Sequence, residues 1–532
     1  MADDLNVLER HLAPRNPDDC SETKRYVRVS SGSDGSVMYR PTPKVRPGWQ
    51  STAVPGLIQR EIMENVLGSR TTDVIRLYLN AVNPWFPIVD GVSFWKLWHK
   101  DPSLISSALL CDIYSIALTY WNDSDALRDT ARPDMQFAWN QAVLALRDDC
   151  MAPSLTTVHA ALLEMLGRPV YHATGNIITA GQTVSLAHSH GLHRDPTSWQ
   201  TSSAEKSLRI RVWWAVLIHD HWSSLSHGTP PNVTSGQYDV PIPEPGSFVV
   251  DDASTREQRA GVVFHQLCRL TAILGEMLPV VYSLRADIQQ DWKTIRRIES
   301  ALDTWEDALP EFLDLSSREI QQGDNERSST SLWFYYLTLK LLLKRLAFKT
   351  TLREKGKSHS VAKQYRFAEL YDAAMAIVDF IASLCSGDFR SFWLPYTTYL
   401  LVSATTTLLR CTVESHNIED KKRSALALVR LLHTLRNACV VDEWDLAELC
   451  IETCGPSIER VAAVYTVATH FSPLVLPSEQ SSASNELADG TLQVRRDTQV
   501  PVDDGFWHEM ESTWASFLDD TSVPWFDLHS IP

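Results

Sequence analysis

The sequence predicts an all-α protein, a large irregular multi-helix domain between a disordered N-terminal lead-in and a disordered C-terminal tail. Three observations carry this. From about Gln59 to Phe471, apolar residues recur at three- and four-residue spacing over long stretches, as the buried stripe of a helix requires. Short polar or proline-containing breaks separate those stretches. Sustained two-residue alternation, the mark of half-buried strands, is nearly absent. No repeat of fixed length recurs, so a regular solenoid is not expected.

The elements follow in order. Leu5 to Leu12 is a short helical candidate, and "SSGSDGSVMYRPTPKVRPGWQ" after it is too rich in Ser, Gly and Pro to support a packed core; residues 1–60 are assigned to a flexible segment. The helical domain, residues 61–471, includes predicted helices over Ile62 to Leu79, Ile105 to Tyr120, Leu155 to Leu166, Ile177 to His190 and Ser207 to Leu225. Further helices are predicted over Val262 to Leu278, Leu332 to Leu352, Phe367 to Leu384, Thr397 to Leu409, Ser424 to Leu435 and Ile458 to Val467. Polar interruptions near 314 and 353 are expected as exposed loops within this domain. Residues 472–502 read as a disordered linker, and residues 503–532 form a distinct acidic and aromatic tail.

Composition narrows the functional classes. With 44% apolar and 21% charged residues the chain is typical of soluble globular proteins. No uninterrupted apolar run of about 18 residues is present, and no apolar signal segment opens the chain, so an intracellular protein without a membrane partner is expected. Nine scattered cysteines suggest reduced thiols rather than a disulfide framework. The formal charge of −16 opposes nonspecific binding to nucleic acid, which depends on Lys and Arg displacing counterions.

Six histidines crowd the interval from His188 to His227. Metal ligands on one helix must lie three or four positions apart, and only His190 and His193 do, with Gly191 between them. The spacing instead predicts a helix ending at His190, with Gly191 as its left-handed cap and Leu192 folding back onto the last turn. No metal and no cofactor are expected. From Val212 to Ile218 every residue is apolar, so this helix should be surrounded by others. Asp220, buried near its end, needs a charge partner or backbone donors, and Arg211 or another base is the expected partner; a catalytic Asp220 is the alternative.

These residues together carry a resemblance. The succession "HGLHRDPTSW" and "EKSLRIRVWWAVLIHDHWSSLSHGTPPNVTSGQYDVPIPE" resembles the signature region of the fungal-specific transcription factor domain, the regulatory middle region of fungal zinc-cluster regulators. The signature falls on Gly191, Leu192, His193 and Arg194, on Arg211, Trp213 and Trp214, on Asp220, on Gly228 and Pro230, and on Asp239 and Pro241. Looser likeness extends over about residues 70–465, and "HDHWSSLSHG" with "YDVPIPE" is similar to the cutinase- and acetamide-type regulators. Three departures stand out: Thr229 replaces the usual Arg of a Gly-Arg-Pro turn, Leu346 follows Lys344 and Arg345 in place of His and Pro, and no Cys-X2-Cys pair occurs in these 532 residues. The family's DNA-binding module needs six thiolates around two zinc ions, and DNA-binding residues are therefore not assigned.

The resemblance implies a nuclear transcription regulator of the zinc-cluster class without its own zinc cluster, acting through protein contacts on a gene set such as catabolic or secondary-metabolite genes. Its partners would be other transcription regulators and coactivators, with homo- or heterodimers allowed and DNA reached only indirectly or through a missing module. A small-molecule pocket between helices is compatible with that role. An all-α enzyme and a non-transcriptional interaction scaffold are the alternatives. No catalytic residues are assigned, because Asp148/Asp149 and Asp251/Asp252 lack the further acid that a diphosphate-magnesium motif needs, and phosphate-loop and zincin motifs are absent. In the tail, Phe506, Trp507, Trp514, Phe517, Leu518, Trp525 and Phe526 are spaced among seven acids with no Lys or Arg, the composition of an acidic activation segment that folds in a coactivator groove. Docking of this segment on the helical domain is its alternative.

Overall fold

The computed structural model describes residues 54–167, 173–249, 254–285, 287–313, 330–354 and 359–465, with the short pairs 27–28 and 38–39. The two pairs form a minimal antiparallel ladder, β1 (Val27–Arg28) with β2 (Met38–Tyr39). Every other regular element among the described residues is helical, as the apolar spacing predicts. The N-terminal helices are α1 (Leu57–Leu67), α2 (Thr71–Ala81), α3 (Gly91–Lys100), α4 (Ser107–Leu118), α5 (Met135–Asp149) and α6 (Leu155–Leu166). The middle of the chain supplies α7 (Ala173–Ser189), α8 (Ser203–His227), α9 (Thr255–Val281) and α10 (Ile288–Asp307). The last group is α11 (Thr330–Arg353), α12 (His359–Ala382), α13 (Thr397–Glu414), α14 (Ile418–Val441) and α15 (Glu448–Tyr465), with one isolated turn at Ser386–Phe389.

Two helices form the axis of the packing. All of α4 is buried, Ser107 through Leu118, and α1, α2, α5 and α6 pack around it. In α8 everything from Arg211 to Ser224 is buried, and this helix touches α6 and α7 on one side and α9 and α13 on the other. It thereby joins the N-terminal group to the C-terminal one. The unbroken apolar run has this cause: with neighbours on several sides, no face of α8 is left for water.

The structure corrects some boundaries. The stretch Ile62 to Leu79 is two helices, because Gly68, at φ 59, ends α1 and a 3-10 turn Gly68–Arg70 redirects the chain into α2. Helix α1 begins at Leu57, on the other side of the boundary drawn at residue 60. Helices α3, α5 and α10 were not among those predicted. The interruption near 353 is confined to the few residues between Arg353 and His359, and the one near 314 lies outside the described residues. Helix α14 is long and apolar enough, by length and composition, to cross a membrane; its buried residues lie against α12, α13 and α15. Cys111, Cys268, Cys411, Cys450 and Cys454 are buried free thiols, whereas Cys150 and Cys385 are exposed.

Candidate functional site

The signature residues converge on α8 and the segments that flank it. Helix α7 ends in a left-handed turn: Gly191 has φ 66, its N–H donates to His188 O at 3.0 Å, and the Leu192 N–H reaches Ala187 O at 3.0 Å. This six-to-one closure is the Schellman motif, and Leu192 is buried by it. The turn delivers His193 and Arg194 to the strap that follows α8. The Asp239 N–H donates to His193 O at 3.2 Å, while the Asp239 carboxylate accepts from Arg194 Nε at 3.0 Å and from the Asp195 N–H at 2.6 Å. Arg194 and Asp239 are about half exposed, so the pair contributes position more than energy.

From the other side, Trp214 Nε1 donates to Pro241 O at 2.6 Å. The strap from Asp239 to Pro241 is therefore clipped to the end of α7 at one point and to α8 at another. Between the clips an aromatic cluster fills the space: Trp213 lies 5.5 Å from His188, 6.1 Å from His193 and 5.6 Å from Tyr238, centroid to centroid. Burial pushes the His188 and His193 rings below the usual histidine range, and the charges of His188 and Arg194 lower His193 further. Both rings serve as packing surfaces. His190 and His193 are not part of a metal-ligand group, and among the described residues no cluster of three His, Cys, Asp or Glu has metal-site geometry.

Arg211 and Asp220 do not pair. Nine positions separate them, about 13 Å along the helix. Arg211 is buried, donates to Ser207 Oγ at 3.3 Å, and lies 5.1 Å from the ring centroid of Phe248. Desolvation pushes its guanidinium down to about 10. Asp220 takes backbone donors instead: one carboxylate oxygen accepts the Asn232 N–H at 3.0 Å and Asn232 Nδ2 at 2.8 Å, and the other accepts the Val233 N–H at 2.9 Å. A carboxylate so occupied, with three donors on its two oxygens, fixes the loop after α8. The turn into that loop is a second left-handed cap, Gly228 at φ 72, whose neighbour Thr229 donates to Ser224 O at 3.2 Å. The Thr229 carbonyl accepts from Ser224 Oγ, and Pro230 is exposed.

His219 and His221 anchor the helix to its neighbours. His219 Nδ1 meets Tyr396 Oη at 2.7 Å, and burial pushes this imidazole down to about 3. The His221 ring sits between two carbonyls, Thr271 O and Val233 O, each 3.2 Å from a ring nitrogen. It fits because residue 275 of α9 is glycine: a Cβ there would stand 2.5 Å from His221 Cε1. Tyr238, Phe248, Tyr396, Asn232 and Gly275 complete the assembly and were not singled out from sequence. Tyr238 lies within the signature stretch, but its tilted and edge-on contacts depend on the placing of Trp213 and Trp214. The tail residues Phe506, Trp507, Trp514, Phe517, Leu518, Trp525 and Phe526 lie outside the described residues.

Residues 75–307 match the fungal specific transcription factor domain. The match takes in a little under half of the chain. That span runs from α2 to the end of α10 and contains every signature residue. The chain is 26% identical over 470 residues to an uncharacterized transcriptional regulatory protein of Schizosaccharomyces pombe, covering 86% of this chain and 68% of the relative. It is 22% identical over 379 residues to the transcriptional activator protein DAL81 of Saccharomyces cerevisiae, covering 63% of this chain and 38% of the relative. It is also 26% identical over 191 residues to cutinase transcription factor 1 beta of Fusarium vanettenii, covering 34% of this chain and 21% of that protein. No solved structure matches significantly. The relatives are thus fungal transcriptional regulators by name, and the chain spans well under half the length of the second and third.

Proposed function

We propose that the chain is a transcription regulator of the fungal zinc-cluster class, working in the nucleus through contacts with other regulators and coactivators. The observation that carries this reading is the coincidence of the domain match with one physical assembly: the turn after α7, the tryptophans of α8 and the Asp239–Pro241 strap form a single clipped unit. Its charged and aromatic groups are consumed by packing, which suits a scaffold that presents surfaces. Within these 532 residues no Cys-X2-Cys occurs, so DNA contact is assigned to a partner or to a separate module. The catabolic or secondary-metabolite gene set belongs to the same proposal.

The acidic and aromatic residues 503–532 are the effector in this reading. Acids keep the aromatic side chains solvated until a groove takes them up. Fusing residues 500–532 to a heterologous DNA-binding domain is expected to activate a reporter in a fungal host, and replacing Trp507, Trp514, Phe517, Trp525 and Phe526 with Ala to abolish the activity. An inert fusion, together with protease resistance of this segment in the full chain, would favour docking on the helical domain.

A further inference from the structure

Helix α1 carries an apolar row on its outer side. Val54, just ahead of the helix, and Ile58, Ile62 and Val66 recur at every fourth position and so line one side of it. Phe137 and Leu144 stand seven positions apart on α5 and share one face of that helix. Each of these six side chains is between 37% and 62% exposed. Single exposed apolar residues are ordinary, whereas a continuous row on two neighbouring helices marks a contact surface.

The two rows adjoin. A Cβ on Gly56 would lie 3.0 Å from Ala145 Cβ, and Arg70 donates to Ala131 O at 2.9 Å, so α1 and α5 lie side by side in opposite directions. That pairing sets Ile58 about level with Leu144, and Val66 about level with Phe137. The opposite side of α1 is turned to α4, where Glu64 accepts from Tyr114 Oη at 3.0 Å and Met63 and Leu67 are buried. The opposite side of α5 holds Trp139 and Leu146, both buried. Both rows therefore face away from α4 and flank one groove.

The course of the chain and the charge around the groove point to its occupant. The helical domain begins at Val54, the first residue of the row, so residues 1–53 are delivered to one end of the groove. Their apolar run, Leu5, Leu8 and Leu12, lies outside the described residues and is spaced as one face of a helix. Asp3 and Asp4 stand at its N-terminal end, where a helix dipole favours acids, and Pro14 closes it. About 40 residues separate Leu12 from Val54, ample to reach along a row roughly 18 Å long, and the tether keeps the local concentration of the run high. Exposed Glu61, Asp134 and Asp148 border the groove, with Arg147 about a quarter turn round α5 from Asp148. Residues 503–532, with seven acids and no Lys or Arg, are repelled by such a rim, and a second copy would set the same acids against each other. The N-terminal run instead brings Arg10 and Arg15.

We propose that residues 5–12 cover the α1–α5 groove as a short amphipathic helix, with Leu5, Leu8 and Leu12 against Ile58, Ile62, Val66, Phe137 and Leu144. The N-terminal segment is then a detachable cover, and its release bares an apolar surface on which chains can associate. The contact is made within one chain and stands apart from the regulatory reading.

The test places an apolar photo-cross-linking amino acid at position 8 of the full chain and maps the adducts by mass spectrometry. Adducts within one chain, to Ile58, Ile62 or Val66 of α1 and to Phe137 or Leu144 of α5, are expected. Replacing the exposed Ile62 and Leu144 together with Asp should lower their yield at least about tenfold, because a carboxylate is then buried under the leucines. Tryptic cleavage after Arg10 in the chain without the cross-linker reads the same contact and should be at least about tenfold faster in the Ile62→Asp/Leu144→Asp variant. Circular dichroism and the melting midpoint establish that the variant is folded; if it is not, Ile62→Asp alone carries the comparison. Adducts confined to other helices or spread over the chain, adducts joining two chains, or an unchanged yield and cleavage rate in the folded variant would overturn the proposal.

Discussion

Gly275 occupies a place where a methyl group has no room. An alanine Cβ there would lie 2.5 Å from Cε1 and 2.9 Å from Nδ1 of His221, a ring that cannot swing away while two carbonyls face it. Alanine ordinarily favours a helix over glycine by about 1 kcal/mol. Here the clash reverses the sign, and Gly275→Ala is expected to destabilise the protein by ~1–3 kcal/mol, read from denaturant unfolding. Adding His221→Ala should recover part of the loss. A second residue-scale effect concerns buried acids. Burial pushes Glu164 up to about 7, Arg147 pulling partly the other way, and burial together with the charges of Glu164 and Asp149 holds Asp112 well above the carboxylate range. A carboxyl raised in the folded state contributes stability that is complete below its ordinary value of 4.5 and is lost as pH rises towards 7. The buried imidazoles work in the opposite sense. His159 and His227, pushed down to about 4 by burial, and His219 contribute stability that is present above 6.5 and lost as pH falls through the acid range. Glu164→Gln should therefore gain on the order of 1–3 kcal/mol at pH 8, a gain that vanishes near pH 5. A gain independent of pH would contradict this account.

At the scale of elements, α8 organises the molecule. Trp213 and Trp222 are fully buried in it, and Trp214 ties the strap to it. Trp213→Ala is expected to cost ~3–5 kcal/mol, with thermal unfolding as the measure; wild-type stability in this variant would show that α8 is not central. The central place of α8 was legible in the sequence, because an unbroken apolar run from Val212 to Ile218 leaves no face for solvent. The end of α7 was legible for a different reason: only glycine takes the left-handed conformation at residue 191 without strain. The partner of Asp220 was not legible. Its donors are the backbone N–H groups of Asn232 and Val233, and every residue but proline carries such a group, so no side-chain pattern marks them. Helix α5 escaped notice because its buried positions include Ala138, Ala142 and Ala145, which contribute little hydrophobic contrast. Helix α10 has a clear stripe in Ile295, Ile298, Leu302 and Trp305, but its many charged residues mask the period in a simple reading.

For the whole molecule, charge sets the terms on which it meets DNA. The formal net charge of −16 arises from 65 acids against 49 Lys and Arg. Several bases on the helical domain are already committed. Lys344 bridges Glu299 and Glu369, each at 2.8 Å, Arg366 pairs with Glu369, and Arg430 pairs with Asp379. A base held by a carboxylate must give up that partner before it displaces a counterion from a phosphate, so its contribution to DNA affinity is reduced. Electrostatic attraction is the term that supplies nonspecific affinity, and base readout requires an element that enters a groove. The 532-residue chain on its own is therefore expected to leave duplex DNA unshifted at physiological salt. The measurement is an electrophoretic mobility titration on a pool of random duplexes, repeated at low salt. A weak shift that disappears as salt is raised would reflect residual local basic patches and agrees with this account. A sequence-selective complex that survives added salt would mean that the helical domain carries a recognition surface of its own, and the assignment of DNA contact to a partner or separate module would fall.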